Sequence, residues 1–419
     1  MAAMAKNSET EQQKLTAQIK RKARGMGFSP VGVAPAGPPD HWGFYLDWLA
    51  KGYAGQMAYL GRNLDRRSHP EQVLPGARTV LCVGMNYDQE RGAPPDGERP
   101  RGRISRYARG DDYHDLMTAR LKRLLEWIQT LEPGVKGRVY VDTGPVLERD
   151  FAARAGIGWF GKHTNLIHKR RGSWFFLGEI LLTAPLVYDR PVADHCGTCT
   201  LCMDACPTDA IPRPYVLDSN RCISYLTIEL KGAIPRRYRE KMDDWIYGCD
   251  ICQEVCPWNL KQSRPTAEPA LKARAGLDAP ELTALLAMDQ TAFSRRFRGS
   301  PIKRAKRRGL LRNAAVALGN RGTVADIPAL TTALSDAEPL VRGHAAWALG
   351  RIGGPAARRA LSEARGSETD AAVRDEIGQA VDEIDRGTEP GGPRNRARED
   401  RETSEAHRHS GVPHAASRH

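Results

Sequence analysis

The sequence predicts an α+β chain in three folded parts: an α/β core, a cysteine-rich insert and a C-terminal stack of helix pairs. Three observations predict this. Apolar, β-branched runs alternate with helical periodicity up to about residue 190. Eight of the nine cysteines fall between residues 196 and 256. A helical pattern recurs about every thirty residues from 310 onward.

The chain has 419 residues, 41% of them hydrophobic, enough for two or three domains with cores of their own. It contains no run of eighteen apolar residues, so no membrane span is expected. The N-terminal stretch has neither an apolar signal core nor a cleavage site, and a cytoplasmic location is expected. Residues 1–14 read as a disordered polar lead-in. From 386 to 419 almost no apolar residue occurs, and a disordered tail is expected there.

Residues 15–190 form the first folded part. "RTVLCVGMNY" (78–87) and "GRVYVDTG" (137–144) suit strands, and Cys82 reads as a buried strand residue. "YHDLMTARLKRLLEWIQTLE" (113–132) has helical periodicity. Asp142 follows the second strand, and the glycine-rich "AGIGWFGKHTN" follows it within the same region. That loop matches neither a Walker A loop nor a dinucleotide fingerprint. By itself Asp142 reads as a turn residue.

Residues 191–265 carry the thiols. The first run is C-x2-C-x2-C-x3-C-P, with Cys196, Cys199, Cys202 and Cys206; the second is C-x2-C-x3-C-P, with Cys249, Cys252 and Cys256. Cytosolic disulfides are rare, which leaves zinc or iron–sulfur. Zinc ribbons use separated C-x2-C pairs. The first run is instead the bacterial ferredoxin pattern, whose fourth cysteine serves the neighbouring cluster. Cys222 completes the second set. The spacing therefore predicts two [4Fe–4S] clusters, one on Cys196, Cys199, Cys202 and Cys256, the other on Cys206, Cys222, Cys249 and Cys252.

Residues 266–385 read as a basic, HEAT-like α-solenoid. "LRNAAVALGNRG", "VRGHAAWALGRIG" and "VRDEIGQAVDEI" place Arg312, Arg342 and Arg374 at matching positions. Between Asp289 and Asp326 there are ten Lys or Arg and no acid, and the whole chain carries a net +13. Arg295, Arg296, Arg298, Lys303, Arg304, Lys306, Arg307 and Arg308 suit contact with a polyanion, with Phe293 and Phe297 nearby. The competing reading is a solvated basic helix face. Together the parts suggest a redox enzyme acting on a nucleic acid.

The order of motifs resembles the epoxyqueuosine reductases. The resemblance rests on "SRYARGDDYHDLM" (105–117), "YVDTGPVLERDFAARAGIGWFGKHTNLI" (140–167), the two cysteine runs, "RCISYLTIELKGAIP" (221–235) and the helical repeat. It implies a corrinoid-binding, nitroreductase-like core of the kind also found in reductive dehalogenases. It implies cobalamin, held base-off, at Arg67, Ser105, Asp142, Leu166, Leu177, Ile223, Ser224, Lys231, Cys249, Asp250 and Ile251. It implies a monomer that reduces epoxyqueuosine to queuosine at the wobble position of tRNA, with electrons from a flavodoxin or ferredoxin. Cluster-reduced cob(I)alamin would attack or reduce the epoxide while Asp142 donates a proton, its pKa raised by burial. A dehalogenase-like reductase of small molecules gives the basic solenoid no role. A non-catalytic electron carrier or RNA-binding scaffold gives residues 141–182 none.

Overall fold

The computed structural model describes residues 2–89 and 99–387, with side chains described from residue 10 onward. The expected tail, from 388 on, lies outside the described residues. The expected lead-in is corrected. A helix spans Ala2–Gly25, because its lysines, glutamines, glutamates and alanines are good helix formers.

The strands are β1 (Val31–Pro35), β2 (Thr79–Asn86), β3 (Arg103–Ile104), β4 (Gly137–Tyr140), β5 (Trp159–Phe160), β6 (Leu166–Ile167), β7 (Phe175–Leu182) and β8 (Trp245–Tyr247). The main sheet has the order β1-β2-β7-β4 and is antiparallel throughout. The α+β class therefore arises from helices laid on an antiparallel sheet.

Strand side chains alternate between two faces, and here both faces are covered, so the strands are apolar almost continuously. Leu81, Val83, Met85, Phe176, Ile180 and Leu182 pack on one side with Met117, Leu121 and Leu124 of the helix Tyr113–Leu131. Val80, Cys82, Phe175 and Leu181 pack on the other with Phe151 of the helix Glu148–Arg154. Cys82 is fully buried in β2, as its context predicts.

The helix Tyr113–Leu131 starts where Asp112 caps it, its carboxylate accepting the His114 N–H at 3.0 Å. This start sets Tyr113 and His114 beside the end of β4. The short pair β3–β8 then ties the core to the cysteine-rich insert.

In the solenoid, the helices Lys306–Arg321, Pro339–Ile352 and Ala371–Gly387 stack in sequence order. Their glycines and alanines let backbones approach: a Cβ at Gly319 would meet the Trp347 ring at 2.5 Å. The repeat arginines are structural. Arg312 is buried and donates to the carbonyls of Leu226, Leu230 and Gly232. Those carbonyls belong to the chain just after Cys222, so the first repeat is locked onto the insert. Arg342 pairs with Glu368, and Arg374 donates to the Glu368 carbonyl.

Candidate active site

Asp142 lies two residues past the end of β4, in the left-handed region at φ 60°, and its side chain is 62% exposed. Its Oδ2 accepts from the Tyr113 hydroxyl at 3.2 Å and from His114 Nε2 at 3.2 Å. His114 Nδ1 lies 2.7 Å from Asp112 Oδ1. The imidazole is thus held between two carboxylates. Burial lowers the His114 pKa, but these two partners outweigh it and bring the pKa up to about 9. At neutral pH the ring is an imidazolium.

This corrects the expected behaviour of Asp142. Partial desolvation pushes the pKa of this largely exposed carboxyl up, but the His114 hydrogen bond and charge, with the Tyr113 hydroxyl, bring it below the ordinary carboxylate value. The proton of the pair therefore rests on His114. Sequence reading missed His114 and Tyr113. The signal was the "DDYH" start of a helix, an N-cap followed by two proton-bearing side chains on its first turn.

An aromatic wall runs from this corner toward the thiols. Tyr113 stacks on Phe176 with centroids 3.9 Å apart, and Tyr107 sits edge-on to Phe176 at 6.4 Å and tilted against Tyr247 at 6.2 Å. Beyond Tyr107, the Gly248 backbone passes so close to Ser105 that a Cβ there would lie 2.5 Å from the serine Cβ. Gly248 has φ 69°, which glycine alone adopts without cost. Ser105 donates to the buried Asp250 carboxylate, which also accepts the Arg106 N–H at 2.9 Å. Burial raises the Asp250 pKa, and Ser105 and Arg106 oppose the rise.

The residues expected around a corrinoid are only partly brought together. Ser105, Cys249, Asp250 and Ile251 gather around Gly248, with Ile223 in the same apolar cluster and Ser224 next to it in the helix Ile223–Ile228. Arg67 lies at the other end, its Nη1 3.5 Å from the Gly144 carbonyl. Lys231 is exposed, and its N–H donates to Gln56 Oε1. Leu166 and Leu177 sit in the apolar cluster on the far face of the sheet. Leu166, Ile223 and Asp250 are too buried to form an open surface; they back it.

Two features fit a large, flat, polar-edged ring. One is the partly open aromatic wall. The other is His163 on the glycine-rich loop: it is buried, burial lowers its pKa to about 4, and its Nε2 has no hydrogen-bond partner among the described residues. Such an orphan nitrogen normally has a partner.

The eight cysteines gather in two adjoining neighbourhoods. Cys202 senses Cys196, Cys256 and Cys199. Cys252 senses Cys222, Cys202 and Cys206, while Cys249 senses Cys252 and Cys222. The shared Cys202–Cys252 neighbourhood places the two sets side by side. Donors already point at the sulfurs. The Ala210 N–H reaches Cys206 Sγ at 3.3 Å. Backbone N–H groups of Tyr225 and Ser224 face Cys222, Ile251 faces Cys249, and Trp258 and Asn259 face Cys256. The buried Trp159 indole N–H faces Cys196 and has no nitrogen or oxygen partner among the described residues. Burial pushes the pKa values of Cys196, Cys222, Cys249 and Cys256 up, and these donors oppose that rise in favour of the thiolates that bind iron. Among the described residues no three His, Cys, Asp or Glu side chains gather closely enough for a single ion.

The basic segment lies beside the Asp142 corner. Tyr59 feels Glu229, Arg304 and Asp142 together, and Lys231 feels Arg304, Lys306 and Arg308. Its eight charges are not equivalent, which corrects the uniform reading. Arg307 pairs with Asp336 and donates to the Met288 carbonyl at 2.7 Å. Arg304 pairs with Glu229 at 3.0 Å, Arg308 lies 4.0 Å from Glu338, and Arg296 donates to the Gly276 carbonyl. Arg295, Arg298, Lys303 and Lys306 are exposed and make no ion pair among the described residues. Phe293 and Phe297 are core residues, not stacking platforms.

Three family models match the chain. Residues 67–143 match epoxyqueuosine reductase QueG, DUF1730; residues 195–259 match the 4Fe-4S double cluster binding domain; residues 303–382 match HEAT repeats. The epoxyqueuosine reductase of Xanthomonas campestris pv. campestris is 46% identical over 344 residues, covering 80% of this chain and 96% of that protein. A crystal structure of epoxyqueuosine reductase with a tRNA-Tyr epoxyqueuosine-modified stem loop superposes with a TM-score of 0.84 at 31% identity, covering 89% of this chain and 99% of that one. The Bacillus subtilis epoxyqueuosine reductase, in a structure with its catalytic aspartate loop swung out of the active site, superposes at 0.82 with 30% identity over 88% and 99%. With this identity sustained across nearly the whole length of its relatives, the chain belongs to the epoxyqueuosine reductase family.

Proposed function

We propose that this chain reduces epoxyqueuosine to queuosine in tRNA, drawing electrons through two [4Fe–4S] clusters from a low-potential carrier of the flavodoxin or ferredoxin type. The balance is one epoxide, two electrons and two protons giving one alkene and one water. The observation that carries the reading is the acid corner of Asp142, His114 and Tyr113, set between a basic edge and a paired set of cysteines.

Each part has work to do. Cys196, Cys199, Cys202 and Cys256 hold one cluster; Cys206, Cys222, Cys249 and Cys252 hold the other, nearer Ser105 and Asp250. A corrinoid would lie against the aromatic wall, held by Arg67, Ser105, His163 and the backbone from Cys249 to Ile251. When bound, it supplies a low-potential, strongly nucleophilic centre. The chain's own residues manage the protons. Opening an epoxide builds negative charge on oxygen, and a positioned acid must meet it. Asp142 stands at the mouth as the group that faces the substrate. His114 behind it carries the exchangeable proton at neutral pH. Exposed Arg295, Arg298, Lys303 and Lys306 offer phosphate contacts, which suits a substrate whose reacting base is one nucleotide of a loop.

The test is anaerobic protein reconstituted with iron, sulfide and cobalamin, then given reductant. Conversion of epoxyqueuosine-containing tRNA to queuosine-containing tRNA is expected. Turnover of small organohalides with the tRNA left unchanged would overturn the reading.

A further inference from the structure

Behind Asp142 lies a pair of carboxyls, one fully buried and one half-buried, to which the mechanism above gives no role. Glu148 opens the helix Glu148–Arg154, and its Oε1 accepts the Asp142 backbone N–H at 2.5 Å. Glu179 stands in the centre of β7, fully buried, in register with Cys82 on one side and Tyr140 on the other. Both its oxygens lack any hydrogen-bond donor from the surrounding described residues, and the group facing them is the Glu148 carboxyl.

Among the described residues no cation forms an ion pair with either carboxyl. The charge of Arg149 acts on Glu148 against the effects of burial and of Asp142, but its guanidinium donates to the Thr164 carbonyl at 2.8 Å. Arg154 turns to Asp40 and the Pro38 carbonyl. The remaining ionisable neighbours are Asp142, Tyr113 and Cys82, none of which is cationic; the imidazolium of His114 lies beyond Asp142. Two adjacent carboxyls with no ion-pair partner, one of them fully buried, do not both ionise, so the pair keeps at least one proton at neutral pH. The more buried partner, Glu179, keeps it, its pKa held well above the ordinary carboxyl value by burial, then by Glu148. Glu148 sits nearer the surface, with burial and Asp142 bringing it up to about 7.

The turn this pair touches is under tension. Asp142 has φ 60°, a conformation that costs a non-glycine residue about 1 kcal/mol. Its closed position therefore needs a tie, and the Glu148 hydrogen bond is one. In the Bacillus subtilis relative the catalytic aspartate loop is found swung out, so in that protein the loop has a second position.

We propose that Glu148 and Glu179 form a proton-loaded latch that positions the acid: Glu179 keeps a proton on the pair, and the Glu148 carboxylate holds the Asp142 N–H so that its side chain faces the substrate. Glu148 and Glu179 are positioning residues; neither touches the reacting atoms. The inference rests on Asp142 being the group that meets the substrate. It also explains why a glutamate at a strand centre, normally costly, is kept without a basic partner.

The test combines amide exchange with turnover, on the full chain. Hydrogen exchange of the Asp142 amide, read by mass spectrometry of peptides spanning 140–147, reports the latch without any substrate. In wild type, protection of that amide beyond the intrinsic pH effect should increase as pH rises through about 7, as Glu148 ionises. Glu148→Gln keeps shape and an acceptor but cannot ionise, so the pH-dependent gain should vanish. Glu179→Leu removes the donor behind Glu148 and should move the gain to higher pH. With tRNA, Glu148→Gln should lower kcat roughly tenfold, the difference between a charged and a neutral acceptor, with KM changed less than about twofold. A gain in protection that survives unaltered in Glu148→Gln would overturn the latch. So would wild-type kcat in both variants. If wild-type protein fails to convert the tRNA at all, the functional reading fails, while the exchange result still decides the latch.

Discussion

Replacing His114 with Gln probes the acid corner most directly. The imidazolium bridges Asp112 and Asp142, and its pKa rises from 6.5 to about 9. That rise corresponds to roughly 3 kcal/mol of preference for the charged form. The ring is 31% exposed and Asp142 more so, and solvent screening reduces the net value to roughly 1–2 kcal/mol. The sign follows from the direction. A pKa raised by folding stabilises the fold fully below about 6.5, and that contribution disappears as pH rises through about 9. Thermal unfolding of wild type should therefore lose stability across this window, and His114→Gln should lose little there. Activity should follow the same group. Single-turnover conversion by pre-reduced enzyme should decline in wild type as pH rises through about 9. The variant should lack that limb and run about ten- to a hundredfold slower near neutrality, the scale of a lost acid–base partner. An alkaline limb that persists in His114→Gln would refute the reasoning, because the proton would then come from elsewhere.

Other parts of the site yield sharper yes-or-no tests. Asp142→Asn should leave cobalamin and tRNA binding near wild type and lower turnover about a hundredfold or more; loss of cobalamin binding instead would make Asp142 structural. Reconstituted protein should hold about eight irons, and Cys222→Ala about four, since Cys222 completes a single cubane; eight irons in that variant would show the ligand pairing to be wrong. Neutralising Lys303 and Lys306 should flatten the salt dependence of tRNA affinity by roughly 0.7–0.9 for each phosphate that no longer meets a cation. Arg307→Ala should leave that slope unchanged and cost stability, because Arg307 is tied to Asp336; a slope change there would mean that the ion pair opens to bind RNA.

Much of this was legible in the chain. The 4Fe-4S double cluster domain was legible because its cysteines sit at short, repeated spacings, and spacing survives in a linear sequence. Strands, the helix Tyr113–Leu131 and the repeat were legible because burial on one or two faces imposes a period. What only the tertiary structure decided were the properties that depend on neighbours far apart in sequence. Arg304 and Arg307 look like free cations until Glu229 and Asp336 come beside them from elsewhere in the chain. Phe293 and Phe297 look available to a base until the solenoid core closes over them. Asp142 was expected to hold its own proton; the fold gave that proton to His114, because an imidazole between two carboxylates is a better place for positive charge than a lone carboxyl is for a proton. Glu148 and Glu179 are 31 residues apart in the chain, and only the packing of one helix on one sheet makes them share a site. Protonation is set by local dielectric and by charges within a few ångströms, and those distances exist only after folding.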